Sequence, residues 1–296
     1  MRRQERPLPT RVTPVQLSDT DADALGTLAR RHFGDAGRLL ESSARSSVRL
    51  RRAEACPDAD AGSRFGGSAL LPGGQAWPAT RAGRPLSFLA QVSTADIPVP
   101  SGVAVLSADT LLAFFYEAGE QQGWGFDPGD RQFSAVIAVP AAGAVAVASP
   151  AGALAFPAYR MLRRPVTTIP DHGEPSLDEL DADYAVFRQL FADLDRDDVA
   201  PWHRMFGWPD LVQNPMQLEC QLAANGIYVG DGKGYRHPRA AELAPGAEDW
   251  LLLLQLDTDD EIGWMWGDTG TIYYWIRRQD LLAARFDQAW MIFQCC

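Results

Sequence analysis

Short apolar and aromatic runs set the pattern of this chain, and they are densest towards its end. Trp250-Leu-Leu-Leu-Leu-Gln-Leu-Asp257, Thr271-Ile-Tyr-Tyr-Trp-Ile276 and Ala289-Trp-Met-Ile-Phe-Gln294 are separated largely by Gly and Asp. β-Branched and aromatic side chains fill a pleated surface, so these runs predict paired strands that anchor the fold. Further strands are expected over residues 47–52, 85–92, 102–106, 110–116, 133–139 and 144–148. Gly, Pro and Asp interrupt them at short intervals, which favours antiparallel strands joined by turns over βαβ crossovers.

Helical spacing is confined to a few stretches. Leu25, Leu28, Ala29 and Phe33 share one face behind Ser18 as the cap and ahead of Gly34, and a second helix is expected over 35–43. Ser176-Leu-Asp-Glu179 has the form of a capping box, and Leu177, Leu180, Tyr184, Phe187, Phe191 and Leu194 follow at helical spacing, which predicts a helix over 176–195. Pro215 suits the first turn of a helix running to Ala224, ended by Asn225-Gly226, and a shorter helix is expected near 238–243. Residues 64–78 carry glycine pairs at 66–67 and 73–74 without the Lys-Ser or Lys-Thr of a phosphate loop, and are expected as an ordered Ω-type loop. Residues 149–175, with five prolines, read as a connector that is extended only over 159–163.

The two halves repeat an order of parts. Phe65-Gly-Gly, Phe88-Leu-Ala-Gln-Val92 and Asp109-Thr-Leu-Leu-Ala-Phe-Phe-Tyr116 answer to Phe206-Gly-Trp-Pro209, Leu252-Leu-Leu-Gln-Leu256 and Asp268-Thr-Gly-Thr-Ile-Tyr-Tyr-Trp275. This predicts two related β units with Gln91 and Gln255 in matching places. A glutamine inside an apolar strand must have its amide hydrogen-bonded, so each is expected to fasten the Phe65 or the Phe206 loop, with ligand contact as the alternative. The fold class is therefore α+β and mainly antiparallel β. An N-terminal arm with helices spans 1–54, a first β unit 55–165, and a helix plus a second β unit 166–296.

Composition narrows the function classes. Of the 27 basic residues only Lys233 is lysine, and the net charge is -11, so arginine here argues weakly for nucleic acid and the charge argues against it. No apolar run is long enough to cross a bilayer, and the first residues lack the apolar stretch of a secretory signal, which predicts a cytoplasmic protein with no membrane partner. Residues 1–54 hold 11 Arg against 7 acids, whereas 171–198 hold 10 acids against two Arg, the mark of a solvated acidic helix face. Cys56, Cys220, Cys295 and Cys296 show no CxxC pairing, so neither a disulfide framework nor a zinc site is indicated.

Several motifs keep a recognisable order: Gly-Gly-x-x-x-x-Pro ahead of Trp77-Pro78, Pro85-Leu-Ser-Phe-Leu-Ala-Gln, Gln213 with Met216 and Glu219-Cys220, Trp250-Leu-Leu-Leu-Leu-Gln-Leu-Asp, and Trp266-Gly-Asp-x-Gly before an aromatic strand. Over roughly residues 60–296 they resemble the bacterial YwqG-like family, a domain of unknown function with a β-rich, duplicated fold. A more distant similarity to programmed-cell-death-protein-2 proteins implies a protein-binding or chaperone-like role, at the level of fold alone. The zinc-binding insert of those relatives has no counterpart in this chain.

Candidate chemistry is sparse. Asp257, Asp259, Asp260, Glu261 and Asp268 place carboxylates near one hairpin, which could hold a divalent metal or act as acid and base, although Asp-rich turns are ordinarily just turns. Glu219 is a candidate catalytic acid if buried. His32, His172, His203 and His237 form no HExxH, and Ser68 and Ser87 lack a GxSxG setting. Tryptophans beside Gly or Pro can line a peptide groove or equally fill the core, and the groove reading comprises Trp77, Gln91, Trp208, Gln213, Gln255, Trp264, Trp266 and Asp268. The leading expectation is a cofactor-free and metal-free module that binds a protein or peptide with a basic surface, chaperone-like or a toxin-immunity protein. The alternative is a hydrolase or metal-dependent enzyme using Asp257, Asp259 or Glu219.

Overall fold

The computed structural model describes residues 16–17, 22–96, 110–171, 173–177, 184–194 and 200–295. The first elements among the described residues are β1 (Gln16–Leu17), helices α1 (Ala22–Phe33) and α2 (Gly37–Ser42), and the long strand β2 (Arg45–Ala55). Next come β3 (Arg64–Phe65), β4 (Ala69–Pro72), β5 (Ser87–Ser93), β6 (Thr110–Tyr116), β7 (Ser134–Pro140), β8 (Ala144–Val147) and β9 (Tyr159–Thr168). The last part holds α3 (Tyr184–Leu194), β10 (His203–Phe206), α4 (Gln217–Ala224), α5 (Ala240–Leu243), β11 (Trp250–Asp257), β12 (Thr271–Arg277), α6 (Arg278–Leu282) and β13 (Trp290–Gln294).

One antiparallel sheet runs in the order β13-β12-β11-β10-β2-β9-β3-β5-β6-β7, with β1 added to β9, and β4 and β8 form a separate pair. The large sheet is nearly closed into a barrel. Its β13 edge is covered by the segment after β6: Phe293 N–H donates to the Trp124 carbonyl at 3.0 Å, and the Trp290 indole donates to the Gly125 carbonyl at 2.9 Å.

Both faces of β5, β6, β11, β12 and β13 are buried, which is why they read as continuous apolar runs. In β6, Leu112, Phe114 and Tyr116 join an interior core with Val48, Met161, Met205, Leu254, Tyr274 and Phe293. Phe114 meets Tyr274 edge-on at 5.2 Å, and the Tyr274 hydroxyl donates to the Phe115 carbonyl at 2.9 Å, so the two halves are packed into each other. The alternate residues Leu111, Ala113 and Phe115 point outward and are covered by Ala69 and Leu71 of β4. On the other half, Cys220 and Ala223 of α4 cover Trp250, Leu252, Tyr273 and Ile292. Each such aliphatic or aromatic side chain contributes about 1.5–3 kcal/mol of burial. Helices α1, α2 and α3 pack on one another through Leu25, Ala29, Leu40, Phe187 and Leu190.

Four expectations change. The proline-rich connector contains β9, a central strand paired with β2 from Arg45↔Thr168 to Ala55↔Tyr159. Pro165 is tolerated there because β9's other edge pairs with β3 at Tyr159 and Arg160 and with β1 at Thr167 and Thr168, so the missing N–H falls between the two. The supposed Ω-type loop contains β3 and β4, and the helix after Pro215 starts at Gln217 with no side-chain cap. For the helix expected over 176–195, Pro175–Leu177 form a 3-10 turn and Tyr184–Leu194 are helical. The expected Ser18 cap, the strand over 102–106 and residues 178–183 of the capping-box helix lie outside the described residues. Among the described residues no helix is long and apolar enough to cross a membrane.

Gly66 has φ of +59°, and a Cβ there would stand 2.2 Å from the Pro157 carbonyl oxygen, whereas Gly73 has open space around it. Gly66→Ala is therefore expected to lower the unfolding free energy by about 2 kcal/mol or more. Gly73→Ala should leave it within about 0.5 kcal/mol, both measured by urea denaturation.

Candidate functional site at the barrel rim

Gln91 and Gln255 are fully buried, and each closes the loop before it. The Gln91 side-chain carbonyl accepts from the Leu70 N–H at 3.4 Å and its amide donates to the Gly62 carbonyl at 3.1 Å. The Gln255 carbonyl accepts from the Asp210 N–H at 2.9 Å, and its amide donates to the Trp202 carbonyl at 2.7 Å and to the Asp210 carboxylate at 2.6 Å. An arginine stands opposite each glutamine, in the pairs Arg64↔Gln91 and Arg204↔Gln255. Arg64 donates to the carbonyls of Gly66 and Ser68, and Arg204 to the Trp208 carbonyl at 2.9 Å and to Asp210. Both loops pass through two successive positive φ values, +59° and +78° at Gly66-Gly67, and +59° and +72° at Phe206-Gly207. Only a planar, multi-donor guanidinium can hold several carbonyls at once in so dry a place.

The expected tryptophan groove dissolves into core and loop contacts. Trp264 is fully buried against Phe65 at 5.6 Å and His203 at 5.6 Å, and Trp266 donates its indole N–H to the Asp257 carbonyl at 3.2 Å. Trp208 is buried under Arg45, whose guanidinium lies 3.5 Å from the ring centre, and its indole donates to the Ser43 carbonyl at 2.7 Å. Trp77 is half-buried on Phe115 and donates to the Leu86 carbonyl at 2.8 Å. These rings are core fillers because a large apolar surface is best spent inside. Gln213 and Asp268 are exposed, and the Gln213 amide donates to the Cys295 carbonyl at 2.6 Å.

The acidic hairpin is engaged internally. Asp257 accepts from the Trp202 N–H at 2.8 Å, the Thr258 N–H at 3.0 Å and the Thr271 hydroxyl at 2.9 Å. Asp259 contacts His203 Nε2 and Arg52 Nε, each at 3.4 Å, and accepts from the Glu261 N–H at 3.1 Å. Burial alone would raise the Asp259 carboxyl, but His203 and Arg52 hold it below its usual range. Because His203 Nδ1 accepts from the Asp257 N–H at 3.0 Å, the ring proton sits on Nε2, facing Asp259, and burial keeps the ring neutral. Both ring nitrogens are thus occupied, and the imidazole has no face left for a substrate proton. Beside this pair Arg51, Arg52, Ala200, Pro201 and Asp259 line a cleft of about 120 Å³. That is well below the roughly 300 Å³ at which small-molecule sites begin. Among the described residues no group of three or more His, Cys, Asp or Glu could hold a metal.

Glu219 lies apart from that hairpin, on α4. It is buried, accepts from the Tyr235 hydroxyl at 2.9 Å through Oε1, and leaves Oε2 without a partner, so burial pushes its carboxyl up to about 7. Glu174 is likewise pushed up to about 7 by burial, with Gln217 donating to it at 3.1 Å.

Two exposed apolar side chains, Trp124 and Met265, lie on turns that are joined to each other at one end of the barrel. There Gln121 donates its amide to the Met265 carbonyl at 2.8 Å and accepts from the Gly267 N–H at 2.8 Å, tying the turn after β6 to the turn before β12. Asp130 accepts the N–H groups of Trp124, Gly125 and Asp127 at 3.2, 2.8 and 3.3 Å and fixes the same turn from below. So held, the Trp124 ring stacks on Phe293 at 4.4 Å while remaining 38% exposed, and Met265 is 47% exposed. Asp268 lies beside Gly267, and Cys295, which a Cβ on Gly267 would touch at 2.9 Å, joins the rim to Gln213. Sequence reasoning passed over Gln121, Trp124 and Met265. The alternation Trp264-in, Met265-out, Trp266-in was the available signal for the methionine.

This geometry defines an α+β scaffold with a packed barrel and a rigid, partly apolar rim. The family described as "Domain of unknown function (DUF1963)" matches residues 63–295, and the chain belongs to it. A comparison with the curated proteins finds no match.

Gln255→Leu should strand the Asp210 N–H and the Trp202 carbonyl and cost about 2–4 kcal/mol in urea unfolding, a prediction that fails if the loss stays near zero. Glu174 offers a pH test. Its folded value lies above its unfolded one, so the folded state holds the proton more tightly and stability falls as pH rises from about 4.5 to about 7. Glu174→Gln removes that loss and is expected to raise the melting temperature at pH 8 but not at pH 4, by circular dichroism. Equal effects at both pH values would refute the assignment.

Proposed function

We propose that this protein is a non-enzymatic binding module for a protein or peptide, acting in the cytoplasm of a bacterium as a chaperone-like or toxin-immunity factor, with neither cofactor nor metal. The observation that carries the reading is the rim, where an indole and a thioether are held exposed on a hydrogen-bonded frame. Exposed Trp and Met side chains on a pre-ordered backbone are what partner recognition draws on, because little conformational freedom remains to be lost. Asp268 beside them and the net charge of -11 suit a partner with a basic surface, chiefly through steering. The resemblance to the YwqG-like family carries no function of its own, and it is the more remote likeness to programmed-cell-death-protein-2 proteins, at the level of fold alone, that leans the same way.

A gene duplication belongs to the same proposal. Three correspondences support it: the Gln91 and Gln255 clasps, the register shifts at Phe88/Ala90 and Leu252/Leu254, and the strand order, which runs β9-β3-β5-β6-β7 to one side of the central pair and β2-β10-β11-β12-β13 to the other. On this reading β2 goes with the second unit, so the units are not simply 55–165 and 166–296. An experimental structure in which residues 62–70 do not overlay on 202–210 would remove the duplication.

The enzymatic reading comes second, and the observation favouring it is the buried Glu219 with a carboxyl near 7 and one unpartnered oxygen. The two readings separate on mutants. Affinity capture from the native host, followed by mass spectrometry, is expected to recover a specific partner with the wild-type chain. Recovery should fall about tenfold or more with Trp124→Ala plus Met265→Ala, at unchanged circular dichroism. Recovery indifferent to the rim, with a biological effect abolished by Glu219→Gln, would favour the enzyme.

A further inference from the structure

We infer that the outer edge of β8, unpaired among the described residues, is a self-pairing surface, through which two copies of this chain join in an antiparallel, twofold-symmetric sheet. From Gln132 to Tyr159 the chain has no charged residue and no histidine, its longest such run. β8 lies in the middle of it, bounded by Pro140 and Pro150, with the sequence Ala144-Val-Ala-Val147. Among the described residues β8 has one sheet neighbour, β4. The β13 edge of the large sheet, by contrast, is covered through Trp124. Soluble proteins protect exposed strand edges with lysine, proline, a bulge or a covering segment, and β8 itself carries none of the first three.

The pairing register follows from the hydrogen bonds already made. Leu70 stands opposite Ala146, and the Leu70 N–H is turned to Gln91, on the side away from β8. Residues facing each other in an antiparallel pair alternate between bonded and non-bonded, so Leu70↔Ala146 is a non-bonded pair and Ala146 directs its own N–H and C=O to the outer edge. Ala146 is exposed, as are Ala142 and Ala148, and Val145 is 47% exposed. A second copy laid antiparallel about an axis through Ala146 would exchange both main-chain hydrogen bonds between the two Ala146 residues and set Val145 opposite the other copy's Val147. The result is a four-stranded sheet, β4-β8 continued into β8-β4 of the second copy.

The occupant is a second copy rather than an unrelated strand because of charge. Two chains of net charge -11 repel over most of their surfaces, whereas this run brings no like charges together and the Ala-Val-Ala-Val strand is its own complement. The site is separate from the rim, so its failure would leave the proposed function standing.

Charge placed at the axis tests this. Like charges directly opposite each other on paired strands are destabilising. Sedimentation equilibrium of the full chain is expected to give a dimer, weakened on the order of tenfold or more by Ala146→Lys and by Ala146→Glu taken singly. Mixing the two variants should restore it as a heterodimer. Independently, Ala146→Cys should cross-link under mild oxidation more than the wild type does, since bonded partners on antiparallel strands have Cα atoms about 5.5 Å apart, within disulfide reach. This second readout serves if a charged variant fails to fold. A monomeric wild type overturns the inference. So does a dimer insensitive to both charges with no added cross-link, or an edge protected from hydrogen exchange only when a different protein is added.

Discussion

Hydrogen bonds that must be met inside an apolar sheet govern this structure. Gln91 and Gln255 each sit in the middle of an otherwise hydrophobic strand, where an unmatched amide would cost several kcal/mol. Each is matched by the ends of a short loop, and the arginine opposite gathers the carbonyls between those ends. The loops so gathered, 62–70 and 202–210, contain β3 and β10, the strands that link the central β2–β9 pair to the outer strands of the large sheet. Removing the amides would unpin the strands that join centre to periphery.

The buried ion pair Arg204–Asp210 follows the same logic. Desolvation disfavours both charges, raising the Asp210 carboxyl and lowering the Arg204 guanidinium, and only the surrounding donors and acceptors make the pair tolerable. Such a network specifies one arrangement of the loop more than it adds stability. Arginine can serve here and lysine cannot, since an ammonium is a point charge without a fork, and Arg49, Arg64 and Arg204 are all almost fully buried.

What could be read from residues alone divides along physical lines. Strands buried on both faces announce themselves as apolar runs, so β5, β6, β11, β12 and β13 were legible, and the cost of a buried amide pointed to Gln91 and Gln255. β9 was legible only over 159–163, because Arg160, Arg163, Arg164 and Pro165 give it the look of a linker; its place in the centre comes from pairing with β2, a contact remote in sequence. The tryptophans stayed open between groove and core for the opposite reason. Flanking Gly and Pro suggested surface loops, yet those residues let the chain turn sharply enough to drive Trp264 and Trp266 inward. The rim depends on Gln121 bridging to a turn far along the chain, a distance that no local pattern encodes.

The interior core has a consequence for where this family can vary. Val48, Phe114, Met205, Tyr274 and their neighbours fill the space that the sheet encloses, so among the described residues the barrel interior is a packed core rather than a site for a guest. Novelty must then be written on turns and margins, where a replaced side chain disturbs few others. Two relatives could keep the same filling and still differ in everything they touch.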